Sequence, residues 1–420
     1  MYLDQILVAR KEGEARGIVS ICSAHPSVLK AAMLRHVEPL LIEATCNQVN
    51  QFGGYTGMTP TDFVAYVTGI AKQTGFPVEQ LILGGDHLGP SVWKNEPAAV
   101  AMEKSKILIR EFVRAGFTKI HLDTSMRLKD DPKGAPDVDL TARRTAILAK
   151  CAEETAGDTR QLRYVIGTEV PAPGGAQDHM EGAHVTTLES ARQTIDSAHQ
   201  AFLDEHLGSA WERVSALVVD PGVEFGDGFV LPYDPHAAAA LSKFIESQPM
   251  IYEAHSTDYQ TQAALRELVR DHFAILKVGP ALTHAFREAV FWLAVVEEDL
   301  IPVHSRSNIV AVLDAVMLEH PQHWRAYYHG TEEQLAQKRI SSLSDRIRYY
   351  WSDPRVQQAL NKLLGNLSNV DISSAITKIK DVQAIISMQK LYTSIKPEQL
   401  ILANIQNVLI SYEQVVGGQA

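Results

Sequence analysis

The chain has 420 residues, which accommodates two or three average domains or one parallel barrel of about 250 residues with an appendage. With 45% apolar and 21% charged residues it carries ample material for a core, which excludes a disordered polypeptide. The net charge of −11, with no Lys/Arg-rich block interleaved with aromatics, argues against nucleic acid as a partner.

In chain order, residues 1–17 mix Asp4, Arg10, Lys11, Glu12, Glu14 and Arg16, so they lack the basic start and apolar core of a signal peptide. Short apolar runs rich in β-branched residues then recur at 17–25, 39–47, 80–87, 119–123, 162–169, 215–224, 249–255 and 272–279, giving eight strand candidates. Between them, residues 62–74, 98–115, 141–155, 187–207, 235–248 and 261–271 mostly carry apolar residues three or four apart, the spacing of a helix face. Gly75 and Gly116 stand where two of these helices should stop. Alternating strand and helix predicts a parallel sheet, and nearly continuous apolar strands mean that both its faces are covered. Eight such units close a (β/α)8 barrel, so the expected fold is α/β, a TIM barrel over residues 1–284. Beyond it the rhythm changes, and 285–299, 309–319, 355–367 and 397–415 read as helices with no strand among them. Residues 285–420 are therefore expected to form a helical extension that packs on the barrel or on a partner. Within it, Phe286, Phe291 and Trp292 at helical spacing read as core or interface. The most apolar helical run, 285–296, holds Arg287 and Glu288 and is too short to cross a bilayer, so no membrane association is expected. Cys22, Cys46 and Cys151 make neither a disulfide framework nor a C-x-x-C pair, which fits a reducing compartment and a cytoplasmic location.

In such a barrel the reactive groups come from the carboxyl ends of the strands. The candidate strands end in His25, Glu43 with Asn47, Asp86 with His87, His121 with Asp123, Glu169, Asp220 with Glu224, Glu253 with His255, and Lys277, which together predict a polar mouth. Residues two apart on a strand share a face, so His121 and Asp123 can address one point, as can Glu253 and His255. Asp86 and His87 would point opposite ways, and Gly84 and Gly85 permit a bend that turns both inward. Converging imidazoles and carboxylates suit Zn²⁺, with His87, Glu224, Glu253 and His255 as candidate ligands; a metal there would polarise a carbonyl and stabilise an enolate. Phosphate needs loops whose N–H groups converge, which Gly174 with Gly175, Ser256 and Gly279 offer, with Lys277 adding a charge. Each of these residues has a structural alternative: a hydrogen-bonded strand-end histidine, an acid–histidine network, or a glycine pair that marks a turn.

The motifs 42–60 (IEATCNQVNQFGGYTGMTP), 84–90 (GGDHLGP), 119–123 (KIHLD), 166–171 (IGTEVP), 221–225 (PGVEF), 253–261 (EAHSTDYQT), 277–283 (KVGPALT) and 344–351 (SDRIRYYW) cover most of the chain. Together they resemble the Z-subunit family of D-tagatose-1,6-bisphosphate aldolase, the GatZ/KbaZ-like chains. The resemblance implies an accessory chain, non-catalytic alone, that a separate catalytic class II aldolase subunit needs for full activity and stability. That assembly splits D-tagatose 1,6-bisphosphate into glycerone phosphate and glyceraldehyde 3-phosphate in galactitol or N-acetylgalactosamine breakdown.

More distantly the chain resembles the class II aldolase barrel itself. There an Asp-His pair ends the third strand, which matches Asp86 as acid/base and His87 as zinc ligand, and a Glu-Leu-Gly-x-x-Gly-Gly motif resembles 169–175 (EVPAPGG). The departures are Glu224 in place of the sixth-strand zinc histidine, Glu253 or a displaced His255 on the seventh strand, and Gly279-Pro280 where the catalytic chains carry Asn. They remove the usual three-histidine site, and Pro280 also removes an N–H donor. The expectation is thus an accessory subunit, with a zinc-dependent sugar-phosphate lyase or isomerase active by itself as the rival. A sugar-phosphate kinase ranks below both, since no G-x-x-x-x-G-K-[ST] segment is present. Arg346 and Arg348 with Tyr349, Tyr350 and Trp351 read either as a docking surface or as ordinary packing.

Overall fold

The computed structural model describes residues 2–35, 37, 39–134, 137–170, 184–388 and 395–417. Eight parallel strands close a barrel: β1 (Ile18–Ile21), β2 (Leu40–Thr45), β3 (Leu81–Leu88), β4 (Lys119–Leu122), β5 (Arg163–Ile166), β6 (Val214–Val218), β7 (Ile251–Ala254) and β8 (Phe273–Val278). The ring shuts where Ile18 to Ile21 pair with Ile275 to Val278. The helices of eight residues or more, in chain order, are α1 (Tyr2–Lys11), α2 (Pro26–Met33), α3 (Pro60–Thr74), α4 (Ala98–Ala115), α5 (Val138–Thr155), α6 (Leu188–Asp204), α7 (Pro235–Ile245), α8 (Gln262–Arg270), α9 (Pro280–Leu300), α10 (Ile309–Glu319), α11 (Glu332–Ser341), α12 (Pro354–Ser368), α13 (Lys380–Met388) and α14 (Pro397–Val416). As the sequence predicts, Gly75 and Gly116 end α3 and α4 in the left-handed region, at φ 74° and 98°, where a side chain would be strained. Among the described residues no helix is long and apolar enough to cross a membrane.

Strand periodicity divides the barrel interior into layers. At the amino end Ile18, Leu41, Val165, Ala216, Ile251 and Ile275 form an apolar floor, and α1 seals it from below with Leu3 and Ile6. Above this floor the buried side chains turn polar: Ser20, Glu43, Lys119 and Glu253, with Lys277 over them. The floor keeps water out from underneath, so charges in the upper layers must find partners in one another.

The far end of the chain completes the ring. α14 packs against α2, α8, α9 and β1. Its C-terminal turn is tied to the entry of β1 by the Gly17 N–H to Val416 carbonyl bond and the Arg16–Gly417 bridge, and to the turn after α2 by Arg35 on Glu413 at 2.7 Å. The sequence division at 284/285 falls inside α9. The segment at 342–351 is packed inward: Arg346, Tyr350 and Trp351 are 2–3% exposed, and Asp345 is held by Arg287 at 3.0 Å and Thr283 at 2.6 Å. Much of this segment therefore packs, while Arg348 and Tyr349 stay half-buried beside the barrel mouth.

Candidate active site at the barrel mouth

Above the apolar floor the carboxyl ends of the strands carry one continuous ionic network. Lys119, fully buried, lies 2.8 Å from both oxygens of Glu43 and 2.6 Å from Glu253 Oε2. Ser20 donates to Glu43 at 2.5 Å. One layer higher the Lys277 ammonium bonds Asp86 Oδ1 and stands 3.4 Å from Glu253 and 3.7 Å from Glu43. Burial disfavours both ammonium charges, yet the surrounding carboxylates raise both pKa values, so Lys277 is a cation here and not a nucleophilic amine.

The imidazoles pair across strands. His121 Nδ1 lies 2.8 Å from Asp86 Oδ1, while His87 Nδ1 lies 2.8 Å from Asp123 Oδ2. On β7, His255 Nε2 lies 3.0 Å from Glu253 Oε1, the same-face contact that spacing by two predicts. Burial works against the Asp86 carboxylate, but His87, Lys277 and His121 hold it well below the usual range. Burial also opposes the His87 imidazolium, and Asp86 and Asp123 overcome it and raise its pKa. His255 goes the other way: burial and Lys277 depress it to about 3, so its ring is neutral and donates through Nε2–H to the ionised Glu253.

Backbone geometry explains how adjacent Asp86 and His87 both reach the mouth, and it differs from the expectation. The bend is not at the glycines. His87 itself takes φ 48°, and the β3–β4 register slips between Gly85 and Leu88, so a bulge turns the pair inward. Gly84 and Gly85 serve close packing instead: a Cβ on Gly84 would stand 2.7 Å from Glu43 Cγ, and one on Gly85 would stand 2.5 Å from Leu88 Cδ1.

Asp86, His87, His255, Ser256, Lys277 and Gly279 border one cleft, with Asn47 on its wall. His121, Asp123, Glu43 and Glu253 lie beneath it, fully or almost fully buried. Glu224 is not with them, because β6 stops at Val218 and Pro221-Gly222, with Gly222 at φ 86°, diverts the chain. Glu224 instead opens a short hairpin, 224–225 with 230–231, where it accepts from the Phe225 N–H and Ser256 and burial pushes its pKa up to about 7. Glu169 is exposed and held by Thr186 at 2.6 Å and by Ser190. Gly174 and Gly175 lie outside the described residues.

Three contributors escaped the sequence reading. Lys119 shares the β4 face with His121 and Asp123, and a lysine inside an apolar strand was the available signal. Asp258 accepts from the Gly279 and Ala281 N–H groups at 3.0 and 2.8 Å, so a carboxylate already fills the anion-binding start of α9; burial raises its pKa to about 6. Arg348 reaches the cleft from the extension and lies over Tyr349, whose ring packs on Tyr55 at 4.8 Å.

Four donor groups, from Asp86, His121, Glu253 and His255, have ligand atoms within 4.8 Å of one another. By composition they suit zinc, and His121 Nε2 is buried without a hydrogen-bond partner. The set brought together is thus not the one the sequence nominates: His121 replaces Glu224, and His87 turns its Nδ1 to Asp123. With His87 beside them, the rings of His121 and His255 complete an imidazole triangle whose centres lie 5.0–5.3 Å apart. Lys277 nevertheless makes the residues a poor fit for a dication as they stand, because its ammonium already holds Asp86 and repels a second positive charge.

The sequence matches the model of the "D-tagatose-1,6-bisphosphate aldolase subunit GatZ/KbaZ-like" family over residues 3–416. The D-tagatose-1,6-bisphosphate aldolase subunit GatZ of Salmonella paratyphi B is 51% identical to it over 98% of each chain, and that of Klebsiella pneumoniae is 52% identical over the same shares. A solved structure described as a probable tagatose 6 phosphate kinase from Sinorhizobium meliloti superimposes with a TM-score of 0.87 at 44% identity, covering 95% of this chain and 100% of that one.

Proposed function

The chain belongs to the D-tagatose-1,6-bisphosphate aldolase subunit GatZ/KbaZ-like family, and we propose that in the cytoplasm it activates and stabilises a separate catalytic class II chain of that aldolase. The observation that carries this is identity of 51% across 98% of both chains with a GatZ subunit. The barrel mouth is consistent with an accessory role. Asp86, the residue that matches the acid/base of the catalytic barrels, is engaged by Lys277 and His121. A protein that binds only the folded form of its partner stabilises it, by about 2.7 kcal/mol when present at a hundred times its dissociation constant.

The test is co-expression with the catalytic chain, followed by cleavage of D-tagatose 1,6-bisphosphate and thermal unfolding of the catalytic chain. Activity and midpoint both rise when this chain is present; no change in either refutes the proposal. The same preparation, given tagatose 6-phosphate and ATP, separates off the kinase reading, for which phosphoryl transfer by this chain alone would be the signature.

A further inference from the structure

The centre of the mouth is a cation-binding arrangement with a cation already in it. Asp86, Glu253 and Glu43 converge from β3, β7 and β2, and the point they share is the Lys277 Nζ. An ammonium carries three N–H donors and no lone pair, so one nitrogen can answer several carboxylate oxygens at once, as a metal ion would. Two imidazoles share these carboxylates: His255 Nε2 lies 3.0 Å and His121 Nδ1 3.9 Å from Glu253 Oε1, the oxygen that also faces Lys277. Lys119 does not compete for this role, because it sits one layer lower, between Glu43 and Glu253.

We propose that Lys277 is the resident cation of this barrel: its ammonium takes the place of a divalent metal among Asp86, His121, Glu253 and His255. The chain therefore needs no metal at its mouth, and neutralising Lys277 converts the cluster into a zinc site. Zinc bonds of about 2.0–2.2 Å require a modest contraction of donors that already lie within 4.8 Å of one another. This inference does not rest on the accessory role, since it is tested on the chain alone by metal content.

The full chain, freed of any purification tag, is equilibrated with Zn²⁺, desalted and analysed for metal, with Co²⁺ absorption as a second probe. Wild type retains far less than one equivalent, and its thermal midpoint is indifferent to a chelator. Lys277→Met and Lys277→Gln each retain about one ion per chain with a tetrahedral Co²⁺ spectrum, and adding His121→Ala abolishes it. A variant that folds only with metal present supports the same conclusion, as zinc then replaces the missing ammonium. Three results overturn it: a stoichiometric metal in wild type that His121→Ala or His255→Ala removes, folded Lys277 variants that bind no more zinc than wild type, or misfolded ones that neither zinc nor cobalt rescues.

Discussion

Lys119→Met tests whether the lower ionic layer holds the barrel together. Glu43 and Glu253 are both fully buried, and without Lys119 their nearest ammonium is Lys277, at 3.7 and 3.4 Å instead of 2.8 and 2.6 Å. Removing one partner of a buried pair costs about 3–5 kcal/mol, because the other charge stays behind without compensation. That is a large part of the roughly 5–15 kcal/mol that holds a folded protein together. Lys119→Met should therefore lower the urea midpoint, followed by tryptophan fluorescence, by roughly 0.5–1 M, since the slope for a chain of this length exceeds the 1–3 kcal/mol/M of small proteins. Adding Glu43→Gln removes one of the two stranded charges, so the double variant should regain part of the loss, with a coupling of about 0.5–3 kcal/mol. If Lys119→Met unfolds at the wild-type midpoint, or if the second substitution only adds to the damage, the network is not a stabilising unit and the reasoning fails.

Two further outcomes follow from the mouth. Asp258 has a folded pKa of about 6 against an ordinary 3.8, so the folded chain holds this proton more tightly than the unfolded one. Its contribution is complete below about pH 4 and is lost as pH rises through 6, by at most about 3 kcal/mol. Asp258→Asn keeps an oxygen for the Gly279 and Ala281 N–H groups, so its thermal midpoint relative to wild type should climb between pH 4 and 6; parallel curves would contradict the assignment. A Cβ on Gly89 would stand 1.8 Å from the Asp123 carbonyl oxygen. Gly89→Ala should force the β3 and β4 exits apart at a cost of about 1–3 kcal/mol or more. Gly157→Ala, which meets nothing within 4 Å, is the control, and equal midpoints for the two variants would count against the close contact.

What the sequence made legible was periodic. All eight strands are found, because buried parallel strands are nearly continuous apolar runs between helical spacings. The contact between His255 and Glu253 follows from a period of two alone. What it concealed depends on pairing between distant segments. His121 and Asp123 do face the mouth, but each bonds a residue of β3 and not the other, which only the register of β3 against β4 decides. Glu224 read as a strand end until Pro221-Gly222 broke the strand six residues early, at Val218. The roles of Gly84 and Gly85 were likewise invisible, since the reason for them is a glutamate on β2 and a leucine that the bulge at His87 folds back over Gly85. Arg348 joins the cleft from a segment whose nearest strand, β8, ended seventy residues before it, at Val278.

The position of α14 bears on how the protein is made. Synthesis of all eight strands is complete at Val278, yet the groove between α8 and α2 stays open until Pro397–Val416 has emerged. At roughly 5–20 residues per second the ribosome needs on the order of ten seconds for that interval. Throughout it β1 and the inner faces of α2 and α8 lack the cover that Leu400, Ile401, Ile405 and Leu409 later provide. The docking of this last helix, more than the making of any strand, therefore commits the polypeptide to its native form.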